Sequence, residues 1–205
     1  QYDWNGYVPF EQLPASNNPE QGWIATANQR IIAANDPNPL TADWDLPTRY
    51  DRIVELIKSR NSHDLSYMKA MQADTLSLGA TPLLDLFKSS KSSHKLSPQA
   101  QEMIQKFDGD MTINSAGALI FNAWVDQLTR NLFSRLSYLF TESYGSRSFR
   151  QPLILALQNP DSPWCDDPKT NQAESCLDSS NNALDKALDY LSNQYGSDPK
   201  SWSWG

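Results

Sequence analysis

Between residues 120 and 140 an apolar side chain returns at every fourth position: Ile120, Trp124, Leu128, Leu132, Leu136 and Phe140, with Phe121, Val125 and Phe133 on the adjoining row. An α-helix turns by about 100° per residue, so this spacing stacks the side chains into one broad stripe. Asp126, Gln127, Arg130, Asn131, Ser134 and Arg135 fill the remaining faces. A stripe this wide predicts one long helix buried on two sides, and such a helix demands other helices around it. The rest of the second half supplies them. Thr48 can cap a helix through Ile53, Leu56 and Ile57 to about Arg60, and a further pattern runs from Asp64 through Leu65, Met68, Met71 and Leu76 towards Leu86. Gly79 and Pro82 interrupt that second pattern. Ser97-Pro98 is an N-cap followed by a first-turn proline, opening a helix through Met103, Ile104 and Phe107 that Gly109 closes. A short helix is expected near residues 149–157, and a last one from about Asn182 through Leu184, Leu188 and Leu191 to Gly196. These stripes read as core seams, and no cofactor is assigned to them.

Residues 1–47 are different in kind. They hold six of the thirteen prolines and no sustained helical period. Tyr7-Val8-Pro9-Phe10 and the run at residues 22–27 read as extended pieces or brief strands between turns. The expected architecture is therefore mainly α: a helical domain over 48–205 with an extended, partly β, proline-rich arm over 1–47. At 205 residues, 39% of them hydrophobic, the chain can bury a sizeable core. Its apolar runs at 116–121 and 153–157 are far too short to span a bilayer. A net charge of −7 argues against nucleic acid or an anionic membrane as partner. The opening Gln1-Tyr2-Asp3-Trp4 has neither a basic region nor an apolar run, nor a Met, and reads as a processed chain or an excised piece.

Two cysteines and two histidines bound the chemistry. A cysteine-rich zinc site is excluded, and a histidine-based triad would have to use His63 or His94. His94 lies in a serine- and lysine-rich stretch and reads as a solvated loop residue; His63 follows Ser62, a candidate N-cap, and reads as a first-turn surface residue. Cys165 and Cys176 flank a polar, proline-containing loop. That arrangement fits a structural disulfide in an exported protein, contributing about 3 kcal/mol; the alternative is two separate thiols in a cytosolic chain. The spacing of a redox pair is absent.

Five segments carry a more specific signal. They are Asn18-Pro19-Glu20-Gln21-Gly22-Trp23-Ile24-Ala25-Thr26-Ala27-Asn28-Gln29-Arg30, Arg49-Tyr50-Asp51-Arg52-Ile53, Met68-Lys69-Ala70-Met71-Gln72-Ala73-Asp74, Phe107-Asp108-Gly109-Asp110-Met111 and Trp202-Ser203-Trp204-Gly205. In this order and spacing the chain resembles the β-chain of the penicillin acylase family of N-terminal-nucleophile hydrolases. The resemblance implies an exported protein, cut autocatalytically into two chains, that hydrolyses the amide bond of acylated substrates such as β-lactams or N-acyl homoserine lactones. The family's nucleophile is a serine made N-terminal by that cut, with its own α-amine as general base. An α-amine titrates at about 8, so much of it is neutral at working pH and already tethered to the hydroxyl it activates.

Residue 1 is Gln, which carries no nucleophile. The resemblance therefore implies an internal piece of the β-chain, the helical insertion of an αββα fold together with the arm. Its partners would be the α-chain and the serine-bearing part of the β-chain, and alone it would be inactive. Asn28 matches the family asparagine that donates to the oxyanion, and Arg52 the arginine that orients the nucleophile's region. On the residues alone, Asn28 is equally a turn asparagine and Arg52 a helix-surface arginine pairing with Glu55. Asp43 and Asp45 are candidate ligands of the structural calcium that many members carry, although no bound ion is expected in this piece. Two competing readings stand beside this one: a non-enzymatic helical module that uses its aromatic residues to hold a peptide or sugar, and a degenerate acylase homologue without its nucleophile.

Overall fold

The computed structural model describes Asp3 and residues 6–143 and 149–205. Gln1 and Trp4, on which the reading of the chain's opening turned, lie outside the described residues. The chain divides into two compact units, Gln1–Ala73 and Asp74–Gly205. This packing boundary lies downstream of the compositional break at 47/48.

In the first unit, extended segments linked by turns lead into α1 (Thr48–Lys58) and α2 (Leu65–Gln72). No strand forms among its described residues: the apolar piece near Phe10 becomes a single 3-10 turn, Phe10–Gln12, and the run at 22–27 has no regular structure. Thr48 does not cap α1, because Pro47 at φ −72°, ψ −4° is already helical and leaves Thr48 inside the first turn. Asp64, in an extended conformation, caps α2 by accepting from the Tyr67 amide at 2.7 Å. His63 thus precedes that helix instead of sitting in its first turn, and its Nε2 lies 2.9 Å from the Ile57 carbonyl. The Tyr67 hydroxyl donates to the Leu56 carbonyl (2.7 Å), which also accepts from the Ser59 hydroxyl, tying α2 to the end of α1.

The second unit is a helical assembly: α3 (Leu84–Ser89), α4 (Ser97–Lys106), α5 (Ala116–Phe133), α6 (Tyr138–Ser143), α7 (Arg150–Leu157) and α8 (Cys176–Tyr195). The central pair is α5 against α8. Trp124 of α5 is fully buried, and its indole N–H donates to the carbonyl and hydroxyl of Ser180. Around it Phe87, Phe107 and Phe121 pack at ring separations of 5.0–6.1 Å. At Gly117 an added Cβ would sit 3.0 Å from the Met103 carbonyl oxygen, so any larger residue would push α4 and α5 apart by a few tenths of an ångström.

Four expectations are corrected here. The long helix does not run unbroken to Phe140: a 3-10 turn, Ser134–Leu136, follows α5, and Ser137 at φ 51°, ψ −114° redirects the chain before α6. Gly109 does not close α4, which ends at Lys106. Its φ of 103° instead serves an antiparallel bridge between Leu76 and Asp110. The last helix begins at Cys176, six residues early, because Ser175 and Asp178 form a reciprocal capping box. His94 is not in a solvated loop. The Asp185 carboxylate on α8 accepts from the Ser92 and Ser93 hydroxyls and the Ser93 and His94 amides, pinning that segment down. Burial alone would raise the Asp185 pKa, but these four donors outweigh it and hold the carboxyl below its ordinary value.

A disulfide joins Cys165 to Cys176. One Nη of Arg135 donates to the carbonyls of Pro163, Trp164 and Asp166, and its guanidinium lies 5.1 Å over the Trp164 ring. The loop is therefore anchored at both its covalent and its polar end.

Candidate functional site

Asn28 stands in a turn at φ 66°, a left-handed conformation that asparagine tolerates better than most residues. Gln29 beside it is the buried polar residue among the described residues of this unit, and its side chain accepts from the Ala27 amide at 2.7 Å. The Asn28 carbonyl accepts from the Asp45 amide (3.1 Å), closing a 17-residue excursion and bringing Asp45 alongside.

The arginine that reaches Asn28 is Arg49. One of its terminal nitrogens lies 2.8 Å from Asn28 Oδ1, 2.9 Å from the Ala27 carbonyl and 2.8 Å from Asp45 Oδ2. Arg49 sits in the first turn of α1, one helical turn after Asp45, so the pair has i, i+4 spacing. Both partners retain solvent access, and an exposed ion pair adds little stability. What it supplies is orientation. A guanidinium can only donate, so the atom facing it must be the amide oxygen. The Asn28 amide is thereby fixed with its NH₂ turned away from Arg49, and that NH₂ donates to no protein group among the described residues. The arrangement offers one neutral amide NH₂ group, with two N–H donors, on an exposed turn.

Arg52, three residues on, is directed to Glu55, with Nη1 donating to Oε2 at 3.0 Å. Asp43 and Asp45 belong to no group of three or more candidate metal ligands among the described residues. Asp45 Oδ2 is held by Arg49, and its Oδ1 accepts from the Leu46 amide, while Asp43 is placed by its own amide donating to the Thr41 hydroxyl. A cation at Asp45 would have to compete with the guanidinium, so these two residues do not fit calcium. Among the described residues no group of three or more His, Cys, Asp or Glu side chains gathers as a metal-ligand set. Arg49 was within reach of sequence reasoning: its i−4 acidic partner and the i+3 claim of Glu55 on Arg52 together single it out.

The family model for penicillin amidase matches residues 1–205. The acyl-homoserine lactone acylase QuiP of Pseudomonas aeruginosa is 30% identical across the whole of this chain, which spans 27% of that relative's length. Penicillin acylase 2 proenzyme of a Pseudomonas species is 31% identical over 66% of this chain and 18% of its own. Among solved structures, a thermostable penicillin G acylase from Alcaligenes faecalis superposes on 98% of this chain and 41% of its own, with a TM-score of 0.67 at 18% identity, a likeness of fold.

Proposed function

This chain belongs to the penicillin amidase family, and from that premise we propose that it forms the oxyanion-binding and scaffolding part of an N-terminal-nucleophile amide hydrolase. Asn28 Nδ2 donates to the oxygen of the tetrahedral intermediate, and Arg49 is the positioning residue that keeps the amide turned the right way. Arg52 lies one helical turn further and lines the same face of α1. The attacking serine and its α-amine come from polypeptide outside these 205 residues, so the chain alone is inactive. The substrate is an acylated amide, of the N-acyl homoserine lactone class or the β-lactam class. The QuiP relative, named for acyl-homoserine lactones, supports the first class over the whole chain, and the penicillin acylase relative supports the second over two thirds of it. The protein acts in an oxidising compartment, the periplasm or outside the cell, where a disulfide such as Cys165–Cys176 persists. Calcium has no part in this reading of Asp43 and Asp45.

The observation that carries the proposal is the bond from Arg49 to Asn28 Oδ1, since it leaves a single polar group, the amide NH₂, facing outward. In tetrahedral chemistry such a donor strengthens its bond as negative charge develops, and removing one typically costs about 10²–10³ in kcat. Asn28→Ala in the complete protein is therefore expected to lower kcat by about that factor with KM little changed. Arg49→Ala should lower it less, with Asn28 intact. Hydrolysis of an acyl homoserine lactone and of a penicillin by the complete protein, followed by release of the free amine, is the measurement. Unchanged kcat in Asn28→Ala would remove Asn28 from the mechanism, and full activity of residues 1–205 alone would remove the need for an outside serine.

A further inference from the structure

Among the described residues of the first unit one side chain is buried, and it is a polar one, Gln29. Asn28 before it and Arg30 after it are exposed. A position that had only to be filled would suit an apolar side chain better, because a buried amide must find partners or lose its hydration uncompensated. The partner that Gln29 finds is close by: its Oε1 accepts from the Ala27 amide at 2.7 Å. That bond reaches back across Asn28. It closes a ring that contains both backbone torsions of Asn28, so a change of φ or ψ there pulls Gln29 Oε1 away from the Ala27 N–H.

Asn28 needs such a restraint. Its φ of 66° is left-handed, a region that residues with a Cβ enter at a cost and keep only where the surroundings enforce it. On the other side of the turn the Asp45 amide donates to the Asn28 carbonyl, and Arg49 holds the Ala27 carbonyl and Asn28 Oδ1. The Arg49 side chain is 49% exposed, so water competes for its bonds, whereas the Gln29 side chain is sheltered. The two grips also act on different torsions. Arg49 sets how the Asn28 amide is turned about its own side chain, but the backbone sets the direction in which that side chain leaves the turn. A right-handed or extended φ would send the NH₂ elsewhere. We propose that Gln29 is a second positioning residue of the amide hydrolysis, holding the Asn28 backbone left-handed while Arg49 holds its side chain. This inference rests on the reading of Asn28 as the oxyanion donor.

Steady-state kinetics of the complete protein on an acyl homoserine lactone and on a penicillin test it. Gln29→Met fills a similar volume without the amide oxygen and should lower kcat about fivefold with KM little changed, as loss of one hydrogen bond implies. The deciding measurement is the same substitution made in Asn28→Ala. A residue that acts through Asn28 has nothing further to lose there, so the double variant should match Asn28→Ala alone; a merely structural residue would subtract its factor again. Should Gln29→Met fail to fold by circular dichroism, Gln29→Asn takes its place with the same expectations, since it keeps the amide and shortens its reach by one methylene. Unchanged kcat in the single variant, or a repeated loss in the double one, would overturn the proposal and leave the reading of Asn28 standing. Unchanged kcat in Asn28→Ala would overturn both.

Discussion

The second unit encloses Phe87, Phe121, Trp124, Leu184 and Leu188 at complete burial, whereas the first exposes Tyr7, Phe10, Ile24 and Leu65 and buries, among its described residues, the polar Gln29. Each helix of the first unit has no buried residue at all. One unit is thus held by an apolar core and the other by directed hydrogen bonds: Arg49 to the 27–28 turn, Tyr67 to the end of α1, Asp64 to the start of α2. The residues proposed to bear chemistry, Asn28 and Arg49, lie in the second kind of structure. Hydrogen bonds specify direction to within a few tenths of an ångström but contribute only about 1 kcal/mol each, while burial contributes more and specifies less. A donor that must be aimed belongs where direction dominates.

Breaking the core should separate the two units most clearly. Trp124→Ala removes the largest fully buried side chain and leaves the Ser180 hydroxyl without its indole donor. A loss of about 3–5 kcal/mol is expected in urea unfolding followed on the second unit. Hydrogen exchange at 48–72 should not follow it. Parallel loss of protection in both units would show that they share one cooperative transition.

Replacing both cysteines by serine frees the loop between residues 165 and 176. The expected cost is about 3 kcal/mol, again confined to the second unit and measured by its denaturation midpoint. A cost near zero would mean that Arg135, with its three carbonyl bonds, holds the loop by itself.

Tyr67→Phe probes the other side of the comparison. It deletes one hydroxyl and leaves the Leu56 carbonyl to the Ser59 hydroxyl. About 1 kcal/mol should be lost in the first unit, read as faster exchange in α2, with no change in the second.

The smallest effect is a pH dependence. Asp185 is held below its ordinary pKa by its four donors, after burial has pushed the other way. A depressed carboxyl contributes stability that is complete above its unfolded value of about 3.9 and is lost as pH falls through the lower folded value. The stability difference between wild type and Asp185→Asn should therefore be constant above about pH 5 and shrink below about pH 4. A difference that does not change with pH would assign the 92–94 clasp to geometry instead of charge.

How much of this was legible beforehand depends on how far apart the interacting residues lie. The apolar stripe on α5 spans consecutive turns of one helix, and periodicity displays it directly. The interruption at Ser137 is invisible to periodicity, because Leu136 and Phe140 keep the spacing while the backbone between them turns. The start of α8 was legible in principle, since Ser175 and Asp178 stand three apart, but the polar stretch before it masked the signal. The family resemblance brought out Asn28 and its neighbourhood. It passed over Arg49, which sits in the same quoted segment as Arg52.

Local pattern alone therefore determined that the chain is helical beyond its proline-rich arm and where most apolar seams run, since both follow from neighbours on one helix face. Tertiary structure alone decided which arginine reaches Asn28 and that a segment read as a loose loop is clasped by Asp185. Each of these is a meeting of side chains 21 to 93 residues apart. Such meetings depend on how turns close and helices pack, which no spacing along the chain encodes.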